Sequence, residues 1–258
     1  MALPTTQETA AQFSRQAEAY AASPSHAGDP DLDIVADFAQ AGATEHCLDI
    51  ATGPGHTAFR IAQSAGFVVG ADLAPGMIAA ARRLAGERGL ANTAFVIADV
   101  HRLPFPDAAF DLVTCRIAPH HFADLPAAIR QVARVLRPGG RFVCEDSLGP
   151  DDAALAGFLE RLEKARDRTH VHSLSRAEWQ AALDNAGLSI ARETVYRKRH
   201  AFDLWIRRTG LAETAIEAIM AEILAAPAVI RASLFEVADG QVATLNDQKL
   251  ILRAEKPA

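Results

Sequence analysis

An α/β fold built on a doubly wound, mostly parallel sheet is predicted for this chain by three observations. Short apolar runs alternate with helical stretches over residues 46–150, a pattern that sets strands side by side with helices on both faces. The first run, Cys47-Leu48-Asp49-Ile50, breaks directly into Ala51-Thr52-Gly53-Pro54-Gly55 and then a helix, as a turn that lets a ligand approach bare backbone requires. Asp72 closes the second run, Val68-Val69-Gly70-Ala71, about twenty positions downstream, where a carboxylate can accept hydrogen bonds from ribose hydroxyls.

Each element follows from local pattern. Residues 5–45 read as a helical cap: 9–22 carries Phe13, Ala17 and Tyr20 at helical spacing, and 32–41 repeats the pattern before Gly42. In the 46–150 core, helices are expected near 56–65, 75–88 and 124–136. A third strand at 94–100 ends in the acid Asp99, a fourth spans 110–116, and a fifth follows the turn Arg137-Pro138-Gly139-Gly140. Residues 151–258 differ, with helices near 152–168 and 175–186, a strand at 189–201, a helical insertion over about 203–239 and a last strand around 249–254. The whole of 1–258 is expected to form one domain.

Composition narrows the function. With 258 residues, 50% hydrophobic and 22% charged, the chain is globular and long enough to bury a large core. No apolar run approaches the roughly 18 uncharged residues of a membrane span, and residues 1–9 lack a basic start and an apolar segment, so cytoplasm is the expected location. A net charge of −6 gives no general attraction to nucleic acid. Cys47, Cys115 and Cys144 each lie in or beside an expected strand without metal-ligand spacing and read as core residues. The basic cluster Arg192, Arg197, Lys198, Arg199 and His200 reads chiefly as a charged sheet edge, with a site for an acidic substrate as the other reading.

The glycine turn alone is ambiguous, since Gly53-x-Gly55-x-x-Ala58 also matches a relaxed nicotinamide-dinucleotide fingerprint. Asp49 discriminates: a carboxylate at the strand end repels a pyrophosphate but suits an amino group. An NAD-dependent oxidoreductase and a binding protein without catalysis are the competing readings.

Taken together, Asp49-Ile50-Ala51-Thr52-Gly53-Pro54-Gly55, Gly70-Ala71-Asp72-Leu73-Ala74-Pro75-Gly76-Met77, Ala98-Asp99-Val100-His101-Arg102-Leu103-Pro104-Phe105, Phe110-Asp111-Leu112-Val113-Thr114-Cys115-Arg116 and Arg134-Val135-Leu136-Arg137-Pro138-Gly139-Gly140 resemble the class I S-adenosylmethionine-dependent methyltransferases. The likeness is to the small-molecule branch that includes the ubiquinone and menaquinone methyltransferases, over roughly residues 45–150. It implies a Rossmann-like sheet of seven strands, the last two forming an antiparallel hairpin around the helical insertion. The departure is Thr57, where the commonest family pattern has a third glycine.

The resemblance implies S-adenosylmethionine as cofactor. Asp49, Ala51, Gly53 and Gly55 would cradle its methionine part and Asp72 its ribose hydroxyls. Leu73 and Met77 would pack on the adenine, with Asp99 and Val100 supplying a polar contact and an apolar wall. Met77 as core packing and Asp99 as a turn cap are the structural alternatives. Tyr20, Ser23 and His26 lie in a segment that relatives fold over the active site, so Tyr20 would help close the pocket, unless it is simply buried with Phe13.

Methyl transfer mainly requires alignment and water exclusion, with a base where the acceptor must lose a proton. The candidates are His120 and His121, just beyond the fourth strand, where the crevice of an open α/β sheet lies; packing of the following helix is the alternative for both. Arg116 joins the cofactor residues at that strand's tip, where the Mg²⁺-dependent catechol-type branch has an acid, so no metal is expected. His170 and His172 show no third ligand. The absence of an Asn-Pro-Pro-Tyr element after the fourth strand leaves a small apolar or aromatic acceptor, methylated at oxygen or carbon. The insertion's apolar residues, among them Trp205, Ile206, Ile216, Ile219 and Ile223, could line a lid, form a homodimer surface or pack a core.

Overall fold

The computed structural model describes residues 4–23, 28 and 30–258. Helices α1 (Thr6–Ala21) and α2 (Pro30–Ala39) precede β1 (His46–Ile50), α3 (His56–Ala62), β2 (Phe67–Asp72), α4 (Pro75–Glu87), β3 (Thr93–Ile97), β4 (Phe110–Arg116), α5 (Leu125–Val135) and β5 (Leu136–Ser147). Then come α6 (Ala153–Arg166), α7 (Arg176–Asp184), β6 (Ser189–Ala201), α8 (Phe202–Arg207), α9 (Glu213–Ala225), α10 (Ala228–Leu234), β7 (Phe235–Ala238) and β8 (Gln241–Glu255).

The sheet runs β3-β2-β1-β4-β5-β8-β6, with β7 pairing β8 off that path. Strands β1 to β5 pair in parallel, and β8 runs antiparallel to β5, β6 and β7. Alternate residues of each central strand enter opposite layers, as the two-residue period demands. Leu48, Val113, Phe142 and Leu252 pack with Ile129 and Trp179 of α5 and α7. Their neighbours Cys47, Leu112, Val143 and Ile251 pack with Phe38, Phe59 and Ile78 on the other face. Both faces are thus covered, and β1 is buried along all but its first residue. The three cysteines are free and buried.

An eighth strand stands where the sequence reading placed only helix. Strand β5 leaves β8 at Ser147↔Lys249, while β6 follows β8 as far as Ala201↔Thr244. The side of β8 left open beyond β5 is taken by β7, from Phe235↔Leu245 to Ala238↔Gln241, which satisfies backbone groups that would otherwise stand unpaired. Asp239 and Gly240 make the connecting turn at φ 50 and 72, the Asp-Gly hairpin signal that the sequence reading passed over.

The insertion packs a core of its own. Trp205, Ile206, Ile216, Ile219 and Ile223 are buried against Phe158 and Leu162 of α6 and against Leu234 and Phe235. Strand β6 ends the sheet path, so the basic cluster does lie on an edge strand. One member, Lys198, turns inward to Asp31 at 2.6 Å. No helix among the described residues is long and apolar enough to cross a membrane.

Helix α1 opens on a capping box formed by Thr5 and Glu8 and lies across α4, where Ala17 meets Ala74, Met77 and Ala80, with Phe13 and Tyr20 alongside. Gly76 permits this contact, since a Cβ there would stand 2.6 Å from the Ser14 carbonyl oxygen. Substituting Gly76→Val should therefore push α1 off α4. Limited proteolysis within residues 4–23 should quicken roughly tenfold or more while the far-ultraviolet circular dichroism of the sheet core is retained. An unchanged cleavage rate would show that α1 is held by other contacts.

Candidate functional site

The site begins where β1 stops. Ala51, Gly53 and Gly55 all adopt positive φ, at 49, 54 and 94, and Thr52 continues the ladder by donating its N–H to the Ala71 carbonyl at 3.0 Å. Ala51 carries the strain of a left-handed residue with a side chain, about 1–3 kcal/mol. The two glycines do different work. An added Cβ at Gly53 would meet protein only at the Met77 sulfur, 4.0 Å away, because Gly53 faces an open cleft. One at Gly55 would come within 2.6 Å of the Phe59 ring. Gly55 shapes the turn from behind and does not line the cleft.

That cleft, about 190 Å³, lies at the carboxyl ends of the parallel strands. Among the sequence-predicted residues, Asp49, Ala51, Gly53, Asp72, Leu73 and Met77 line one side. Asp99, Val100, Arg116, His120, His121 and Tyr20 complete it. Met77 is at once buried under α1 and part of the cleft wall, so core packing and site lining coincide. His26 falls outside the described residues.

Asp72 accepts the Gly53 N–H on one carboxylate oxygen and the Ala74 N–H on the other, both at 2.8 Å. Each oxygen keeps a lone pair. Burial raises its pKa against these hydrogen bonds. Asp49 accepts the hydroxyls of Thr52 and Thr114, each at 2.6 Å, and burial pushes its carboxyl up to about 6 despite them. Neither threonine was singled out from sequence, although hydroxyls at the tips of adjacent strands are the signal. Asp99 caps the short turn after β3, accepting His101 N–H at 2.9 Å while still facing the cleft. An open space before Gly53, flanked by carboxylates with unused lone pairs, is an acceptor set suited to a ligand bearing hydroxyls and an ammonium group.

Opposite stand the residues after β4. Arg116 donates to the Thr57 hydroxyl at 3.1 Å and to Asp31 at 3.2 Å, and lies 3.9 Å from Glu145. Tyr196 also donates its hydroxyl to Glu145 at 2.7 Å; burial, with Asp31 beside it, pushes Glu145 up to about 7. Buried Asp31 is held below its ordinary value by Arg116 and Lys198, which outweigh its burial.

The two histidines form a single turn at 119–121 yet have opposite environments. His120 lies against Asp146, which accepts its backbone N–H at 2.8 Å and its Nδ1–H at 2.5 Å. Burial disfavours the imidazolium, but the Asp146 carboxylate prevails and the His120 value rises. His121 donates Nδ1–H to the Thr169 carbonyl at 3.0 Å and meets the Phe13 ring edge-on at 5.0 Å. Burial and the neighbouring His120 drive it down to about 3, so His121 stays neutral. Asp146, in Cys144-Glu145-Asp146-Ser147, is the partner that sequence reasoning missed; an acid at the tip of β5 was its only trace.

Residues 48–144 match a family model described as a methyltransferase domain. The chain is 37% identical to an uncharacterized methyltransferase, YcgJ, of Bacillus subtilis (strain 168), over 77% of its own length and 78% of that protein. The crystal structure of YcgJ superposes with a TM-score of 0.85 at 31% identity, covering 88% of this chain and 98% of that one. A demethylmenaquinone methyltransferase of Thermus thermophilus is 48% identical over 49% of this chain and 57% of its own.

Proposed function

The chain belongs to the S-adenosylmethionine-dependent methyltransferases, and from that premise we propose that it methylates an oxygen or carbon atom of a small, apolar or aromatic molecule. S-adenosylmethionine is the cofactor, and the space and carboxylates around Gly53 suit it. Bound, it supplies an activated sulfonium methyl group whose electron pair stays on sulfur as the acceptor's lone pair forms the new bond.

In this reading Asp72 accepts the two ribose hydroxyls on its remaining lone pairs, and Ala51, Gly53 and Asp49 surround the amino-acid end. Arg116 presents its guanidinium from the opposite wall. Leu73, Met77 and Val100 flank the adenine, with Asp99 at its amino group, and Tyr20 closes the pocket under α1. His120 accepts the acceptor's proton at Nε2 while Asp146 holds Nδ1–H and fixes the tautomer. Phe13 and Phe122, both lining the cleft, exclude water around an apolar acceptor. The names of quinone-methylating relatives support a small acceptor. One observation carries the reading: a histidine with its Nδ1 held by a buried carboxylate shares a single cleft with Asp72 and the glycine turn.

The direct test is transfer of a labelled methyl group from S-adenosylmethionine to fractions of a small-molecule extract. A labelled product is expected in at least one fraction, and tight cofactor binding with no product in any would leave a binding protein.

A pH test addresses Asp49. With its carboxyl at about 6, a ligand ammonium nearby favours the ionised form, so binding at lower pH must expel a proton. The dissociation constant of S-adenosylhomocysteine is therefore expected to be flat above pH ~7 and to rise by up to roughly tenfold per unit below about 6. Asp49→Asn should flatten the curve. Calorimetry in buffers of different ionisation enthalpy reads both quantities, and a pH-independent affinity in the unsubstituted chain would remove Asp49 from the site.

A further inference from the structure

Beyond β3 the chain turns through Asp99 and the short helical turn Val100–Arg102, and Asp99 and His101 both line the main cleft. Among the described residues, every hydrogen bond to the Asp99 carboxylate falls on one oxygen. Oδ1 accepts the backbone N–H of His101 at 2.9 Å and lies 2.7 Å from the ring nitrogen Nδ1 of the same residue. Oδ2 is left as an acceptor without a protein donor.

The hydrogen on that ring is placed by its other nitrogen. Nε2 accepts the backbone N–H of Asp124 at 3.3 Å, which requires a lone pair there, so Nδ1 carries the hydrogen and donates it to Asp99. The ring is held from a second side, where Phe122 meets it edge-on with centroids 6.1 Å apart. The Asp99 and His101 side chains are 35% and 26% exposed, so their pairing adds little to the stability of the fold. What it does fix is geometry: two donors on Oδ1 hold the carboxylate plane and its free oxygen.

We propose that His101 is a positioning residue for the nucleoside: by occupying Oδ1 it reserves Oδ2 of Asp99 for the 6-amino group of adenine, and so sets how strongly the cleft prefers adenine to a purine without that group. The proposal rests on the placement of adenine beside Asp99 in the reading above. An amino N–H donated to a carboxylate makes a charge-assisted bond whose worth depends on direction. A carboxylate free to turn would lose orientational freedom when the ligand arrives, whereas this one has already lost it.

The full chain is titrated calorimetrically with S-adenosylhomocysteine and with its purine analogue, in which hydrogen replaces the 6-amino group. The unsubstituted chain should bind S-adenosylhomocysteine about tenfold or more tighter than the analogue. His101→Phe keeps a ring against Phe122 but no side-chain donor for Oδ1, and it should lose most of that preference through weaker binding of S-adenosylhomocysteine alone. His101→Asn returns an N–H close to the place of Nδ1 and should restore much of it. Thermal melts report folding, and a His101→Phe chain that does not fold is replaced by His101→Leu in the same comparison. A preference kept in the folded variant, or an equal loss for both ligands, overturns the proposal, the second because it marks a merely structural role. Equal affinity of the unsubstituted chain for the two ligands also overturns it and leaves the methyltransferase reading standing. A chain that binds neither S-adenosylhomocysteine nor S-adenosylmethionine overturns both.

Discussion

Replacing His120 with alanine is expected to lower turnover by about a hundred- to ten-thousandfold, the usual worth of a general base, with S-adenosylhomocysteine affinity nearly unchanged. The reason lies in the Asp146 contact. A histidine whose Nδ1–H is held at 2.5 Å by a buried carboxylate presents the Nε2 lone pair and no other. Because Asp146 raises His120 above its ordinary value of 6.5 against the effect of burial, the neutral base appears only as pH climbs past that raised value. The kcat profile should therefore rise with pH along a limb centred above 6.5 and then level off. Asp146→Asn should cost at least roughly tenfold in kcat, with little change in KM, and shift that limb to lower pH. Alanine at 120 leaves Asp146 buried without its partner, which is itself destabilising, so His120→Gln and a thermal melt separate lost chemistry from lost folding. Full turnover in both His120 variants would leave the transfer to proximity alone.

Substituting Asp72→Ala should all but abolish cofactor binding. A hydrogen bond to a charged group is worth about 1.5–3 kcal/mol, so losing two to the ribose hydroxyls should raise the dissociation constant of S-adenosylhomocysteine by roughly a hundred- to ten-thousandfold. Part of that loss comes from the turn itself, since Asp72 also holds the Gly53 and Ala74 N–H groups. Asp72→Asn keeps one carbonyl oxygen and should lose less, and the difference between the two variants divides ligand contacts from turn support. Binding of S-adenosylhomocysteine within a few-fold of the unsubstituted chain would move the ribose elsewhere.

Much of the core was legible because its signals are local. The apolar runs leading to Asp49 and Asp72 became inner strands, since a parallel strand covered on both faces admits no other composition, whereas the run leading to Asp99, expected as a buried strand, became the edge strand β3 with Ile97 exposed. Helix bounds such as Pro75–Glu87 were near their expected positions because Pro75 at the first turn starts the helix. Strand β7 was not legible, as four residues of Phe-Glu-Val-Ala carry no period of their own and pair only because β8 outruns β5. The open choice over the insertion was also not local: Ile216 and Ile223 alone are equally a lid or a dimer face, and only contact with Phe158 and Leu162 makes them a core.

By itself the sequence determined the alternation of strands and helices, the positive-φ turn at Gly53 and Gly55, and the acids at or just beyond the ends of the first three strands, because backbone sterics and hydrophobic period act between near neighbours. Only the tertiary structure gave the two adjacent histidines different environments. That difference depends on Asp146, 26 positions from His120, and on Thr169, 48 positions from His121. The charge of a buried imidazole is set by whatever the fold brings within hydrogen-bonding reach of it, and no spacing along the chain records that.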